Sequence, residues 1–427
     1  MSKKYRESKE YFQRRQQKLI RHKLKRKNKH YNPYYTYNMK NNKKVIPPTE
    51  LKLFKDNKIK DIEPTIELPE VFSITKNPKE TLKIIYEITS LFFVEKDLKI
   101  SILCEHTKDM DLSALILLDI VIVKGRKYLN NLGFKCEITG NFPADDNVKE
   151  LFIFSGLPKH LDLLKGISPQ VEILDPFDTI NDTNLETHRI IEYYDNCLKR
   201  NGYQLNDKGK IYFNKLINEI VDNARIHNGY KDKFYCGGFY SHNIKKGQLS
   251  IISFGNTMYE SLNSDSTSDN IKKKIKEYIN DQKNFFDFSY NEEMSWTVFA
   301  LQYKISRLNS IEMPDRGTGT IQFLEAFMEM GQTIKMEKPM MVLVSGNTHI
   351  LFDGTYTLKE EIINGETVKI IAFNKNNNLK DKPDKDYVKD LNVKFPGVII
   401  NIEFFVDPAY LERFKEKDKN EKKENND

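Results

Sequence analysis

The chain has 427 residues, a formal net charge of +7, 39% hydrophobic residues, 26 Phe and 22 Tyr, which is length for two or three domains and apolar mass for their cores. Its four cysteines, Cys104, Cys136, Cys197 and Cys236, stand far apart with no Cys-x-x-Cys pair, which argues against a disulfide framework or a zinc site and fits a reducing compartment. No run reaches the roughly 18 apolar residues of a membrane span, and the basic N-terminus leads into no apolar signal region, so a cytoplasmic chain with no membrane partner is expected.

The charge is unevenly distributed. Residues 1–44 hold sixteen Lys and Arg against two Glu, so the remainder is net negative by seven. The densest stretch, Arg21 to His30, is followed by Tyr31, Tyr34, Tyr35 and Tyr37. Cations interleaved with aromatics suit phosphate neutralisation and base stacking, so nucleic acid is a candidate partner. A solvated tail, or one docked on the chain's own acidic body, is the competing reading. Nothing in residues 5–29 breaks a helix, and Pro47-Pro48 reads as a linker; residues 1–50 are therefore expected to be a disordered or helical arm. No residue from Lys415 onward is apolar, and residues 412–427 are expected to be a disordered charged tail.

Between these ends the pattern alternates. Lys99 to Cys104 reads as a strand, Leu112 to Tyr128 as a buried helix, Phe134 to Thr139 as a strand and Asn147 to Ser155 as a helix. Such alternation implies parallel strands with helical crossovers. A helix follows within Asp178 to Arg200, with Ile190, Ile191, Tyr194 and Leu198 in period. The next is Leu216 to His227, in which Leu216, Ile217, Ile220, Val221 and Ala224 form an apolar stripe. Glu219, Asn223 and His227 then fall four residues apart on one side. Strand-like runs come after: Phe234 to Tyr240, Gln248 to Phe254, Met340 to Ser345, His349 to Phe352, Val368 to Phe373 and Val398 to Phe405. A long, charged, largely helical insertion separates the second run from the third.

Glycines mark both ends of that insertion. Ile251-Ile252-Ser253-Phe254-Gly255 is a strand running into glycine, and Arg316-Gly317-Thr318-Gly319-Thr320 opens an apolar-periodic helix, Phe323 to Met330. Glycines ahead of a helix N-terminus let backbone N–H groups approach a phosphate.

Two resemblances follow from these residues. Asp111-Leu112-Ser113-Ala114, Gly133 to Ile138 and Val148 to Leu157 make residues 67–165 similar to STAS-type domains, interaction modules in which a serine near the place of Ser113 can be phosphorylated. The likeness implies a protein partner docked through this domain. The ordered set of Glu219, Asn223 and His227, then Gly255, then the insertion, then Arg316 to Thr320, makes residues 180–405 resemble the GHKL ATP-binding superfamily, nearest to the anti-sigma-factor serine kinases. Together they imply an α/β protein: a small STAS-like domain followed by a GHKL-type α/β sandwich.

The second resemblance further implies a regulatory protein that binds ATP and Mg2+, as an ATPase or a serine/threonine protein kinase. Asn223 would hold the magnesium, and Glu219 would orient or deprotonate the attacking water or hydroxyl. Gly255 would belong to the nucleotide pocket. Arg316, Gly317, Thr318, Gly319 and Thr320 would wrap the phosphates under a lid formed by the insertion. Where the family carries an adenine-contacting aspartate, this chain has Ser253, a neutral acceptor. That departure keeps open a non-catalytic nucleotide sensor, as the basic arm keeps open a nucleic-acid-associated protein. A homodimer also stays open.

Overall fold

The computed structural model describes residues 36–38, 43–45, 47–56, 64–94, 96–163, 183–226, 234–241, 246–265, 267–282, 291–302, 319–330, 338–363, 366–406 and 408–414. The chain is a mixed α/β protein with parallel and antiparallel sheets. Most of the basic arm, the expected boundary near 165–180, His227, Arg316, Gly317, Thr318 and the tail from Lys415 lie outside the described residues.

The chain is paired earlier than its charge pattern suggests. Strands β1 (Thr36–Asn38) and β2 (Lys43–Val45) form an antiparallel hairpin, and helix α1 (Thr49–Leu53) follows the two prolines. Pro47 is buried, and Leu51 and Phe54 are fully buried. The stretch read as the end of an arm and a linker is therefore a packed anchor. The C-terminal tail likewise starts later than residue 412, because Leu411 to Arg413 pair with Tyr203 to Leu205.

The N-terminal unit holds a parallel sheet ordered β3 (Thr65–Glu67), β5 (Leu98–Leu103), β7 (Cys136–Gly140), with a second parallel pair, β4 (Val71–Phe72) and β6 (Asp109–Met110). The crossovers carry α2 (Pro78–Leu91) and α3 (Leu112–Leu132), and α4 (Asp146–Phe154) and α5 (Leu157–His160) close the unit. Helix α3 is apolar on every side from Leu112 to Val123 apart from Ser113 and Asp119, and a helix apolar all round must be buried all round. Asp111 caps its start, accepting from the Ala114 N–H at 2.8 Å. It runs past Tyr128 to Leu132 because Gly133, at φ +89°, is the residue that adopts the left-handed stop.

The second unit opens with α6 (Thr183–Lys199), β8 (Tyr203–Leu205) and α7 (Asp207–Ile226). Strands β9 (Phe234–Ser241) and β10 (Lys246–Phe254) follow, then three insertion helices, α8 (Met258–Leu262), α9 (Asp269–Gln282) and α10 (Glu292–Ala300). Helix α11 (Gly319–Met330) precedes β11 (Met340–Phe352), the hairpin β12 (Lys359–Ile363) and β13 (Glu366–Ile370), the long β14 (Val388–Phe405) and β15 (Leu411–Arg413). The main sheet is antiparallel in the order β11-β14-β10-β9. Two runs expected as separate strands are the single strand β11, bent by a register shift at Gly346, which sits at φ +58°. Val398 to Phe405 is only the last part of β14, and the run to Phe373 is a strand only as far as Ile370.

Both faces of this sheet are covered. Leu249, Ile251, Cys236, Leu343 and Phe404 pack on the side of α6 and α7. Ile252, Phe254, Tyr235, Val344 and Ile399 pack on the side of α2 and α3. The N-terminal unit thus supplies the second cover of the sheet, and its core is continuous with the back of β9 and β10. Gly237 allows the close approach: a Cβ there would stand 2.4 Å from the Ile116 Cδ1 of α3.

Candidate functional site

Helix α7 is set by its cap and its stripe. The Asn206 side chain accepts from the Gly209 N–H at 2.8 Å and donates to the Ala409 carbonyl at 3.0 Å, tying the helix start to the C-terminal segment. Tyr212, Phe213, Leu216, Ile217, Ile220, Val221 and Ala224 are buried at helical spacing. The helix packs on β10 and between α6 and α11. Glu219 and Asn223 flank the buried stripe, each half-buried, at the border between core and solvent where a polar side chain can meet a ligand without the full cost of burial.

Strand β10 ends beside a tight crossing. Gly255 has φ +149° and donates to the Pro396 carbonyl at 3.1 Å. Opposite it Gly397 also has φ +149°, and a Cβ there would lie 2.0 Å from the Ser253 carbonyl oxygen, so only glycine fits. Alternation along the strand puts Ser253 on the same face as Leu249 and Ile251, the face that carries α7. Ser253 is 6% exposed, and its hydroxyl donates to the Val398 carbonyl at 3.4 Å, which leaves its lone pairs for an incoming donor.

A polar cluster follows that the sequence did not single out. Thr257 and Glu260 form a reciprocal capping box at the start of α8, and the Met258 N–H donates to Ser345 Oγ at 2.8 Å. Lys394 pairs with Glu260 at 2.5 Å. Glu293, at the start of α10, accepts from the Asn347 N–H at 3.2 Å across the β11 bend. Burial pushes its carboxyl up, against that hydrogen bond and the Lys394 charge. The one available signal was Gly346 inside an apolar run, which marks a bulge.

The second glycine feature is described only in part. Gly319 is the first residue of α11, and Thr320 is half-buried in its first turn. Ile321, Phe323, Leu324, Ala326 and Phe327 bury the inner side of α11, and Glu325 pairs with Lys369 of β13 at 2.5 Å. The insertion is helical as expected, but its described part is packed down. Leu262, Ile275, Ile279, Trp296 and Phe299 join the core of the α7 face. Gln302 bonds both the N–H and the C=O of Ile371, at 3.0 and 2.9 Å.

The opposite face carries a sealed polar seam. Asp111 accepts from Ser73 Oγ at 2.7 Å and from the Thr75 N–H at 2.8 Å, besides capping α3. Burial pushes its carboxyl up while these three bonds pull it down. Gln248 of β10 accepts from the Leu112 N–H at 3.1 Å, and Asn401 of β14 donates to Thr75 Oγ1 at 2.9 Å. His349 of β11 is 1% exposed with Nε2 3.2 Å from the Thr75 carbonyl, and its Nδ1 is buried without a hydrogen bond. Burial, with Lys389 second, holds this imidazole down at about 4. Ser113, near the phosphorylatable place of STAS-type domains, is fully buried and 2.7 Å from Ser250 Oγ.

Among the described residues no three His, Cys, Asp or Glu side chains cluster as a metal site, and no helix is long and apolar enough to cross a membrane. Comparison with protein-family models, curated proteins and solved structures finds no match.

Proposed function

We propose that the second unit is a GHKL-type nucleotide-binding module that takes Mg-ATP on the α7 face of the main sheet. The observation that carries this is the position of α7. The helix with Glu219 and Asn223 on its border packs at once on β10, which ends in Ser253-Phe254-Gly255, and beside α11, which opens with Gly319 and Thr320. Three separate sequence features thus belong to α7 and to two elements that it touches.

The donor set fits a nucleotide better than a free cation. With no carboxylate cluster among the described residues, a magnesium ion would draw most of its ligands from phosphate oxygens and water, with Asn223 as the protein donor. Bound there it would neutralise phosphate charge. Glu219, one turn back on the same side, is placed to orient a water or hydroxyl. Ser253 offers an uncharged acceptor to a base amino group. Arg316 to Thr320 would supply backbone N–H groups and one guanidinium to the phosphates. The buried Ser113 does not serve as a phospho-acceptor in this arrangement, so a phosphoryl transfer would go to water or to another protein.

A nucleotide sensor without turnover is the second reading, favoured by the neutral Ser253. Turnover of ATP with magnesium separates the two. In the enzyme, Glu219→Ala lowers kcat by about 100-fold or more while the nucleotide still raises the melting temperature. Stabilisation by ATP with no turnover in the wild type selects the sensor. No response to any nucleotide defeats both.

A further inference from the structure

Helix α1 lies behind the strand end that carries Ser253 and Gly255. Leu51 and Phe54 are fully buried in the core of the α3 face. The Phe54 ring centroid is 5.2 Å from that of Tyr86, 5.8 Å from Phe254 and 5.9 Å from Phe395. Phe254 and Phe395 stand 5.6 Å apart, and Tyr235 of β9 packs edge-on to Phe254 at 5.7 Å. Ring pairs at such separations attract beyond the area they bury. Polar contacts hold the same segment. Glu50 accepts from the Tyr235 hydroxyl at 2.5 Å and lies 3.5 Å from Lys124 Nζ, so one carboxylate ties α1 to β9 and to α3.

These rings flank the tight crossing at the end of β10. Phe254 precedes Gly255, Phe395 precedes Pro396-Gly397, and the Gly255 N–H donates to the Pro396 carbonyl. Tyr86 of α2 donates to the Lys394 carbonyl at 2.6 Å, one residue before Phe395. The crossing is more open on the α7 face. There Val398, paired with both Ser253 and Ser345 and so on their face, is half-buried in the middle of the sheet. On the α3 face Phe254 is 4% exposed and Phe395 0%. The strand end is therefore braced from its rear.

We propose that residues 47–56 are a positioning strap for the nucleotide site. With Phe54 seated, Ser253 and Gly255 are held in the arrangement that takes the nucleotide, and unseating it lowers affinity from across the sheet. The inference rests on the nucleotide reading of the α7 face. Phe54 is a positioning residue, because it acts through Phe254 and Phe395. When the competent arrangement is only partly populated, apparent affinity falls by that fraction, so the strap tunes the site without occupying it.

The test compares the full-length wild type with Phe54→Leu, Tyr235→Phe and Ile138→Ala. The first keeps an apolar side chain in the seat but removes the ring, and the second removes only the hydroxyl that holds Glu50. Ile138 is the control, fully buried in β7, a strand of the separate parallel sheet. Amide exchange is measured first, without nucleotide. Phe254 to Thr257 should exchange about fivefold faster or more in Phe54→Leu, the size of one or two lost ring pairs, faster by less in Tyr235→Phe, and as in wild type in Ile138→Ala. The Kd for Mg-ATP, from calorimetric titration, should rise in the same order, by about fivefold in Phe54→Leu. Unchanged exchange at Phe254 to Thr257 in both ring-cluster variants overturns the strap, as does equal loosening in Ile138→Ala. Faster exchange with an unaltered Kd overturns it too. A wild type that binds no nucleotide overturns the reading on which the strap rests, and the nucleotide-free exchange tells that outcome apart from failure of the strap itself.

Discussion

The two faces of the main sheet come from the same strands but treat their polar residues differently. On the α3 face, Ser113, Gln248, Ser250 and Asn401 are buried and hydrogen-bonded across the two units, and the buried Asp111 holds Ser73 and Thr75 beside them. On the α7 face the polar residues of interest, Glu219, Asn223 and Thr320, sit half-buried at helix borders. A buried polar seam whose groups bond one another specifies how two layers dock. A row of half-covered polar groups beside a glycine-bearing strand end costs little to desolvate further and can be completed by a ligand. The difference assigns architecture to one face and candidate chemistry to the other.

The largest effect that would break this contrast is at the seam. Asp111→Ala strands Ser73 Oγ and the N–H groups of Thr75 and Ala114, and should cost about 3–5 kcal/mol. Because the core of the N-terminal unit is continuous with the sheet, urea unfolding should remain a single transition with a lowered midpoint. Two separated transitions would show that the faces are independent.

Next comes pH. Neutral His349 is favoured in the folded chain, with its pKa at about 4 against an ordinary 6.5. The unfolded chain therefore binds more protons between these values, and stability is present above pH 6.5 and lost as pH falls toward 4. The loss is about 3 kcal/mol, and it should be missing from His349→Gln when the two proteins are compared by denaturation at pH 7 and pH 4. An identical pH dependence would mean that His349 is not sealed.

At the bend of β11, Gly346→Ala should cost about 1–2 kcal/mol. It places a Cβ at φ +58° and 1.8 Å from Glu293 Oε1, which forces the carboxylate off the Asn347 N–H. Thermal melting checks it. The smallest change is Lys369→Ala. Its pair with Glu325 is partly exposed, so the loss should stay below about 1 kcal/mol, and a larger one would make the β12–β13 hairpin a true support of α11.

How much of this was legible beforehand follows from which interactions are local. The all-apolar α3, the stripe of α7 and the glycine at the end of β10 are local patterns, and they fall where the sequence places them. Strand β11 was split because Ser345-Gly346-Asn347 looks like a turn, whereas the chain bends and continues. Most of β14 was missed because the polar stretch before Pro396-Gly397 does not alternate. The anchor at Leu51 and Phe54 was hidden behind Pro47-Pro48, since what buries it, Phe254 and Phe395, is some 200 and 340 positions away. The seam was invisible for the same reason: Asp111 and Ser113 read as ordinary helix-start residues until Thr75, Ser250 and Asn401 are brought to them. Of the candidate site, α7, Ser253, Gly255, Gly319 and Thr320 are placed, while His227 and Arg316 to Thr318 fall outside the described residues.

Amide hydrogen exchange of the full chain with and without Mg-ATP tests the assignment of chemistry to the α7 face most directly. Slowed exchange is expected in the second half of α7, at Phe254 to Thr257 and in the first turn of α11, with α3 unchanged and the whole effect lost in Asn223→Ala. Protection confined to α3 and the seam, or no protection at all, would contradict it.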